Sequence, residues 1–274
     1  MAPVTELSNP LRAVFTKAER PSLGVWQMFP GANVSRAMAR TPDIDWVLVD
    51  CEHGNIDDGA MHDAVPAIAA LGVSPIVRVA DNQSWMIKRA LDCGAHGILI
   101  PLIRTVQDAK DAVMASKFPP WGNRGFGSPY AMERFNPVPS MTDYLQLAND
   151  SLLTMVQIET KEALADVEAI AEIRGIDVLF IGPFDLGNNI GHPVINGEIK
   201  PELSAAILRI RDASHNAGKK CGIFCTSGAQ ASQFAEIGFD MLSVTTDVSG
   251  LQHFLAESVS LARGAGNIAK KTSY

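Results

Sequence analysis

"LTMVQIETKEALADVEAIAEIRGIDVLFIGPFD", residues 153–185, contains a complete strand–helix–strand unit. Its first run, Leu153–Thr160, is apolar and of strand length. A predicted helix over Lys161–Gly175 carries its apolar residues at helical spacing and stops at a glycine. A second apolar run, Asp177–Asp185, follows at once. Both runs are continuous rather than alternating, which is typical of parallel strands that helices cover on their outer face.

The same rhythm recurs along the whole chain. The predicted strands are Leu23–Phe29, Trp46–His53, Ser74–Ala80, Gly97–Ile103, Leu153–Thr160, Asp177–Asp185, Lys220–Cys225 and Met241–Asp247. Helical patterns lie between them, among them 57–72 and 201–218. Eight alternating units favour an α/β fold, a (β/α)₈ TIM barrel, as one domain over residues 1–274. The alternative is an open, doubly wound sheet, but no G-x-G-x-x-G follows the first strand.

Charge and composition exclude several classes of protein. The net charge of −7 and the pI near 5.4 leave no basic stripe for phosphates, so we expect neither nucleic acid nor an anionic membrane as a partner. No apolar run is long enough to span a bilayer, and the N-terminus lacks the basic and apolar regions of a secretory signal. The four cysteines show no disulfide framework, which suits a reducing compartment. We therefore expect a cytoplasmic protein.

One interval breaks the rhythm. Residues 118–150, "FPPWGNRGFGSPYAMERFNPVPSMTDYLQLAND", are rich in proline, glycine and aromatic residues. Such a length is unusual for a plain connector, so we predict an irregular functional segment. Arg124, between glycines in "PPWGNRGFG", is expected either to close over the substrate, to stabilise a subunit contact, or to lie in a surface turn.

Polar residues gather at the predicted strand ends, where the active site of a (β/α)₈ barrel lies. They are Trp26, Gln27, Asp50, Glu52, His53, Arg78, Gln157, Glu159, Asp185, Thr226, Thr245 and Asp247. Glu159 and Asp185 end adjacent strands and would repel each other without a cation between them. Their hard oxygen atoms predict Mg²⁺, with Mn²⁺ or Co²⁺ as alternatives. The alternative interpretation makes both carboxylates helix caps, or pairs Glu159 with Arg78.

Six motifs together resemble one enzyme family, the HpcH/HpaI family of metal-dependent pyruvate aldolases. They are "VDCEHG", "PIVRV", "LDCGAHGILIP", "PPWGNRGFG", "YLQLANDSLLTMVQIET" and "FIGPFDLGNNIGHP". The resemblance runs from about Gly24 to Asp247. It implies a barrel, usually a hexamer with helices exchanged between subunits, and cleavage of 4-hydroxy-2-oxo acids to pyruvate and an aldehyde. The chain also resembles macrophomate synthase, a relative that decarboxylates oxaloacetate and joins the enolate to a pyrone.

The resemblance also implies a role for each site residue. It places the metal ligands at Glu159 and Asp185, the pyruvate-binding arginine at Arg78, the catalytic histidine at His53, the acid that orients it at Asp92, and a glutamine beside the metal at Gln157. Trp26 and Phe184 complete the expected substrate pocket. Phe184 is a departure, because the family commonly has a small residue before the metal aspartate.

Aldol cleavage has several alternatives on a barrel of this kind. Imine catalysis needs a desolvated lysine inside the barrel, and no lysine lies in the body of a predicted strand. Oxaloacetate decarboxylation and enolate addition pass through the same enolate, so the site residues do not separate them. A metal-free binding protein and a phosphate-recognising barrel are the remaining alternatives; the latter wants glycine-rich loops after strands 7 and 8, where "CTSGAQAS" and "TTDVSG" offer one glycine each.

Overall fold

A computed structural model describes residues 7–264 of the chain. The strands are β1 Ser22–Gln27, β2 Trp46–Asp50, β3 Ser74–Arg78, β4 Gly97–Ile100, β5 Leu153–Ile158, β6 Val178–Ile181, β7 Lys220–Ile223 and β8 Met241–Thr246. The helices are α1 Pro10–Lys17, α2 Ala32–Ala39, α3 Asp58–Ala69, α4 Ser84–Asp92, α5 Val106–Ser116, α6 Met141–Ser151, α7 Lys161–Ala165, α8 Val167–Ala171, α9 Pro183–Asn189, α10 Pro201–Asn216, α11 Gly228–Glu236 and α12 Asp247–Ala262.

The strands close into a parallel barrel in the order β1 to β8, which confirms the predicted (β/α)₈ fold. All eight predicted strands form, but most end earlier than the apolar pattern suggested. At the end of β2, the Asp50 side chain accepts the N–H groups of Glu52 and His53, at 3.0 and 3.2 Å. This side-chain turn replaces the next ladder bonds and ends the strand. Glu159 follows β5 directly, as predicted.

Apolar side chains form two layers. The inner layer fills the barrel with large residues, including Trp46, Ile76, Met155 and Phe180. Leu11 on α1 belongs to the same cluster and is fully buried, so the N-terminal helix closes the barrel end opposite the mouth. The outer layer lies between the strands and the surrounding helices. The interior is therefore packed, and ligand space is confined to the rim where the strands end.

Most predicted helices form at their expected places. Asp57 caps α3 by accepting the Ala60 N–H at 2.8 Å, and α10 begins at a proline and ends near Gly218. The predicted helix over 161–175 is instead two short helices, α7 and α8, because Asp166 between them leaves the helical conformation (φ −102°, ψ 16°). Within residues 7–264, the structure contains no helix with the length and apolarity needed to cross a membrane.

The last described helix does not pack like the others. Ser260 is the only buried residue of α12, whereas α10 buries three large aliphatic side chains. The exposed apolar residues of α12 are Leu251, Phe254, Leu255, Val259 and Leu261, each at least half exposed. A helix of this composition normally buries its apolar face on the barrel.

The segment 118–150 is less irregular than predicted. It contains a 3₁₀ turn, Ala131–Arg134, and most of α6. Arg124 is buried rather than set in a surface turn, and its Nη2 donates to Asp92 Oδ1 at 2.9 Å. Its guanidinium carbon lies 4.4 Å from the Phe118 ring centroid and 5.9 Å from that of Tyr144. Arg124 therefore fixes the segment to α4 and is not a lid over the mouth.

Candidate active site

Arg78, at the end of β3, is held by two carboxylates: Asp50 at the end of β2 and Glu52 just after it. The strand register sets Asp50 beside Arg78. Nε donates to Asp50 Oδ1 at 2.9 Å and Nη2 to Oδ2 at 2.6 Å. Nη1 lies 2.9 Å from Glu52 Oε2. Burial would raise the pKa of Asp50, but the hydrogen bonds and charge of Arg78 outweigh it, so this pKa is lowered. The alternative pairing of Arg78 with Glu159 does not occur.

Trp26 completes the support of the guanidinium. Its indole Nε1 donates to Asp50 Oδ2 at 2.9 Å, and Arg78 Cζ lies 5.0 Å from its ring centroid. Trp26 is almost fully buried, so the ring holds a fixed position. A planar cation held by two hydrogen bonds and an aromatic face is preorganised for oxyanions.

Glu159 is a buried carboxylate that forms no ion pair within residues 7–264. It accepts the Leu102 N–H at 2.8 Å and the Gln157 side-chain amide at 2.5 Å. Burial, with repulsion from Asp185 and Glu52, raises its pKa to about 7. Leu102 has a left-handed backbone (φ 52°), which is uncommon for a residue other than glycine and often marks functional sites.

Gly182, after β6, lets the backbone pass directly over Glu159. A Cβ at this position would collide with Glu159 Oε2 and lie 2.7 Å from Gln157 Nε2. Asp185, three residues on in the first turn of α9, is exposed toward the cavity. The carboxylate groups of Glu159, just after β5, and Asp185, in α9, are thus brought close together. Neither side chain caps a helix, which was the alternative interpretation.

The mouth holds a cavity of about 400 Å³. Its lining residues are Trp26, Met28, Asp50, His53, Arg78, Gln157, Gly182, Pro183, Phe184, Asp185, Phe224, Thr226, Thr246 and Ser249. The cavity unites six of the predicted site residues, and Glu159 lies directly behind Gly182 and Gln157. No lysine lines it within the described part of the chain, so an imine mechanism has no nucleophile here.

The donor set fits a divalent metal ion. Burial, with repulsion from Asp50 and Asp185, raises the pKa of Glu52, and burial with repulsion from Asp185 and Glu52 raises that of Glu159. Among the described residues that line the cavity, Arg78 is the one arginine or lysine beside these four carboxylates. Burying this excess of negative charge is costly unless a cation accompanies it. Residues 7–264 contain no group of three or more His, Cys, Asp or Glu side chains arranged to hold a metal. Two carboxylates leave coordination positions for water and substrate, the arrangement that suits Mg²⁺.

His53 stands at the rim of the cavity and is open to an entering substrate. Its side chain is 60% exposed, and its Nε2 lies 3.8 Å from Glu52 Oε1. Both residues follow β2, so one short turn supplies His53 and also Glu52, which contacts Arg78. The sequence places Asp50 and Glu52 at this strand end but does not by itself assign them a role. Their role as holders of Arg78 depends on the β2–β3 register, which no single strand reveals.

Asp92, the acid predicted to orient His53, does not line the mouth cavity of its own chain. Asp92 ends α4, and the helices of a barrel run back toward the end opposite the mouth. Its Oδ1 accepts Arg124 instead, and it lines a separate surface cleft with Asp58, His62 and Arg89. Within one chain, His53 therefore lines the mouth cavity and Asp92 lines a different cleft.

The fold and site define an enzyme of the (β/α)₈ class whose chemistry lies at the carboxyl ends of the strands. The chain belongs to the HpcH/HpaI aldolase/citrate lyase family, whose model matches residues 28–253. The hydroxypyruvate/pyruvate aldolase of Chromohalobacter salexigens is 35% identical over 93% of this chain and 98% of its own. A 4-hydroxy-2-oxo-heptane-1,7-dioate aldolase of Salmonella paratyphi A is 36% identical, over 93% and 91%.

Solved structures agree. A family member from Burkholderia cenocepacia has a TM-score of 0.84 at 33% identity and covers 93% of this chain and 99% of its own. Macrophomate synthase has a TM-score of 0.83 at 26% identity, over 95% and 90%. The predicted resemblance, fold and enzyme class are confirmed.

Proposed function

We propose that this chain is a divalent-metal-dependent aldolase that cleaves 4-hydroxy-2-oxo acids to pyruvate and an aldehyde. The observation that carries the proposal is that two features meet at one barrel mouth. Arg78 is held in a fixed position by Asp50, and Glu159 and Asp185 lie close enough to repel each other. The aldolase names of its relatives support it. The HpcH/HpaI aldolases are generally metal-dependent, and we propose Mg²⁺ for this chain, with Mn²⁺ or Co²⁺ as alternatives.

Each site residue then has a task. Glu159 and Asp185 would hold the metal ion, which would supply Lewis-acid stabilisation for the 2-oxo acid when bound. Arg78 faces the negative charge that develops on the C2 oxygen as the C3–C4 bond breaks. His53 takes the proton of the C4 hydroxyl group. Gln157 holds the Glu159 carboxylate in place through its amide.

Pyruvate release from a panel of 4-hydroxy-2-oxo acids tests this proposal. Lactate dehydrogenase detects the pyruvate, and EDTA followed by Mg²⁺, Mn²⁺ or Co²⁺ tests the metal. We expect activity that EDTA removes and one of these ions restores. Absence of pyruvate from every member of the panel, or full activity in EDTA with no bound metal by elemental analysis, would overturn it.

Oxaloacetate decarboxylation, or addition of the resulting enolate to an acceptor, is the second candidate. The similarity to macrophomate synthase over 95% of this chain favours it. The reaction would use the same metal ligands and Arg78, because it passes through the same enolate. Including oxaloacetate in the panel, and comparing kcat/KM values, ranks the two activities.

We also propose that the protein is a homo-oligomer, with a hexamer of 29.4-kDa chains as the expectation from the family resemblance. Its support is the apolar face of α12 (Leu251, Phe254, Leu255, Val259 and Leu261), which the barrel of its own chain leaves exposed. Contiguous exposed apolar surface of this kind marks protein interfaces. Light scattering of the purified protein should give a multiple of the chain mass. A monomer would contradict the proposal.

The compartment is proposed on a different ground. All four cysteines are free thiols, and three of them are buried. Thiols persist unpaired in reducing surroundings. We therefore propose a cytoplasmic location, which fractionation of the source cells would test.

A further inference from the structure

An aromatic wall runs across the cavity from Arg78 outward. It consists of Trp26, Phe224 and Phe184. The Trp26 and Phe224 ring centroids are 5.1 Å apart and nearly perpendicular, and those of Phe224 and Phe184 are 6.4 Å apart. Phe224 and Phe184 are half-buried, so each ring presents one side to the cavity. Met28 extends the apolar lining.

Apart from Arg78, the side chains of one chain that line the cavity, within residues 7–264, include no arginine or lysine to meet a second carboxylate. Asp50 and Glu52 already engage the guanidinium of Arg78. An isolated charge brought into such a site loses its water without gaining a partner.

The hydroxyl groups of Thr226 and Thr246, at the rim of the cavity, already form hydrogen bonds within the chain. The Thr226 hydroxyl and N–H both bond to Gln230 Oε1, at 3.2 and 2.9 Å. Thr246 Oγ1 caps α12 by accepting the Ser249 N–H at 3.1 Å. These hydroxyl groups therefore hold the loops after β7 and β8 in place, and the acceptor side of the cavity is mainly aromatic.

We propose that the aldehyde made or used at this site is uncharged, with an alkyl or aryl substituent, and that Phe184 and Phe224 set this specificity. The inference rests on the proposed aldolase function. In cleavage, the C4 hydroxyl loses its proton and becomes the aldehyde carbonyl. The C3–C4 bonding electrons pass to the pyruvate enolate, which is then protonated at C3. The C4 substituent remains on the aldehyde and lies against Phe184 and Phe224. The diacid named for the Salmonella relative has a charged substituent at this position.

Two substrates that differ at one end test the proposal. 4-Hydroxy-2-oxoheptanoate ends in a methyl group, and 4-hydroxy-2-oxoheptanedioate ends in a carboxylate. We expect kcat/KM to favour the methyl-ended substrate by roughly 10- to 100-fold. Phe184→Ala should lower kcat/KM for that substrate about tenfold, and Phe184→Arg should shift the ratio toward the diacid. Phe126→Ala, which changes a phenylalanine outside the cavity, should leave the ratio unchanged.

Exchange of the pyruvate methyl protons with deuterium tests the aldolase function separately from the aldehyde specificity, because enolisation needs no aldehyde. Exchange by the wild type, together with a preference for the diacid, would overturn the proposal while the aldolase function stands. The same holds if Phe184→Arg leaves the ratio unaltered. Absence of both exchange and cleavage would instead remove the aldolase function itself.

Discussion

Burial of Glu159 opposes the ionisation that metal binding requires. Glu159 must be ionised to bind a cation, yet burial raises its pKa to about 7. Because its pKa is higher in the folded than in the unfolded chain, the folded state binds more protons between about pH 4.5 and 7. Without a metal, Glu159 therefore lowers stability as the pH rises through this window. Asp185 and Glu52 add to the cost through repulsion.

We predict that Glu159→Gln stabilises the metal-free protein at pH 8 by roughly 1–3 kcal/mol and removes stabilisation by added metal. The glutamine oxygen atom can still accept the Leu102 N–H, and the unpaired Gln157 Oε1 can accept the new amide after a flip. Urea unfolding in EDTA and with Mn²⁺ measures both effects. Glu162→Gln, which neutralises an exposed glutamate three residues on, is the control. A Glu159→Gln variant that keeps the full metal effect would remove Glu159 from the ligand set.

Arg78 and His53 should separate two reactions. Any route through the enolate needs Arg78, so Arg78→Lys, which cannot keep the bidentate bond to Asp50, should lower kcat/KM about 10²-fold for both aldol cleavage and oxaloacetate decarboxylation. Decarboxylation removes no proton from a C4 hydroxyl. His53→Ala should therefore cost ~10²–10⁴-fold in cleavage but less than about tenfold in decarboxylation. Equal losses in both reactions would show that His53 acts in a shared step.

Among the elements, the segment 118–150 depends on one buried arginine. Arg124 joins α4, through Asp92, to the rings of Phe118 and Tyr144. Its Nε and Nη1 have no hydrogen-bond partner in the described structure, so the aromatic faces supply much of its surroundings. Within one chain, the segment is thereby attached away from the mouth.

We predict that Arg124→Ala lowers the free energy of unfolding by about 2–4 kcal/mol, since it removes a buried partner of Asp92 and leaves space between two rings. Arg174→Ala is the matched control: Arg174 lies over Trp121 of the same segment, at 3.9 Å, but is exposed. Its loss should cost less than about 1 kcal/mol. Urea denaturation of both variants measures the difference, and equal costs would contradict the anchoring role.

At the scale of the whole molecule, the separation of Asp92 from His53 has a direct consequence. The family resemblance pairs these two residues, whereas one chain places them in different cavities. We propose that any such pair forms between two copies, with Asp92 of one chain reaching His53 of another. The surface cleft beside Asp92, which is open in the single chain, provides access.

Mixing two inactive variants tests this arrangement. If each site takes His53 from one chain and Asp92 from another, refolding His53→Ala together with Asp92→Ala should rebuild intact sites. Random pairing would restore roughly a quarter of wild-type activity. Each variant refolded alone is the control. Failure of the mixture, with both variants forming oligomers of normal mass, would mean that the two residues do not share a site.

The local sequence pattern was sufficient to predict the barrel fold. Apolar runs of strand length, helical spacing between them, and capping residues such as Asp57 are properties of neighbouring residues, and they predicted eight parallel strands and the carboxylates at the ends of β5 and β6. The barrel then placed Glu159 and Asp185 at one mouth without further information, because all parallel strands end on the same side.

Only the tertiary structure decided what each polar group touches. Barrel closure and register bring Asp50 to Arg78 across 28 residues of sequence and set Phe224 between Trp26 and Phe184, contacts that no periodicity encodes. The same geometry carries Asp92 away from His53 and leaves the apolar face of α12 uncovered. Sequence reports the preferences of adjacent residues, whereas side-chain partners depend on how distant elements are set against each other in space.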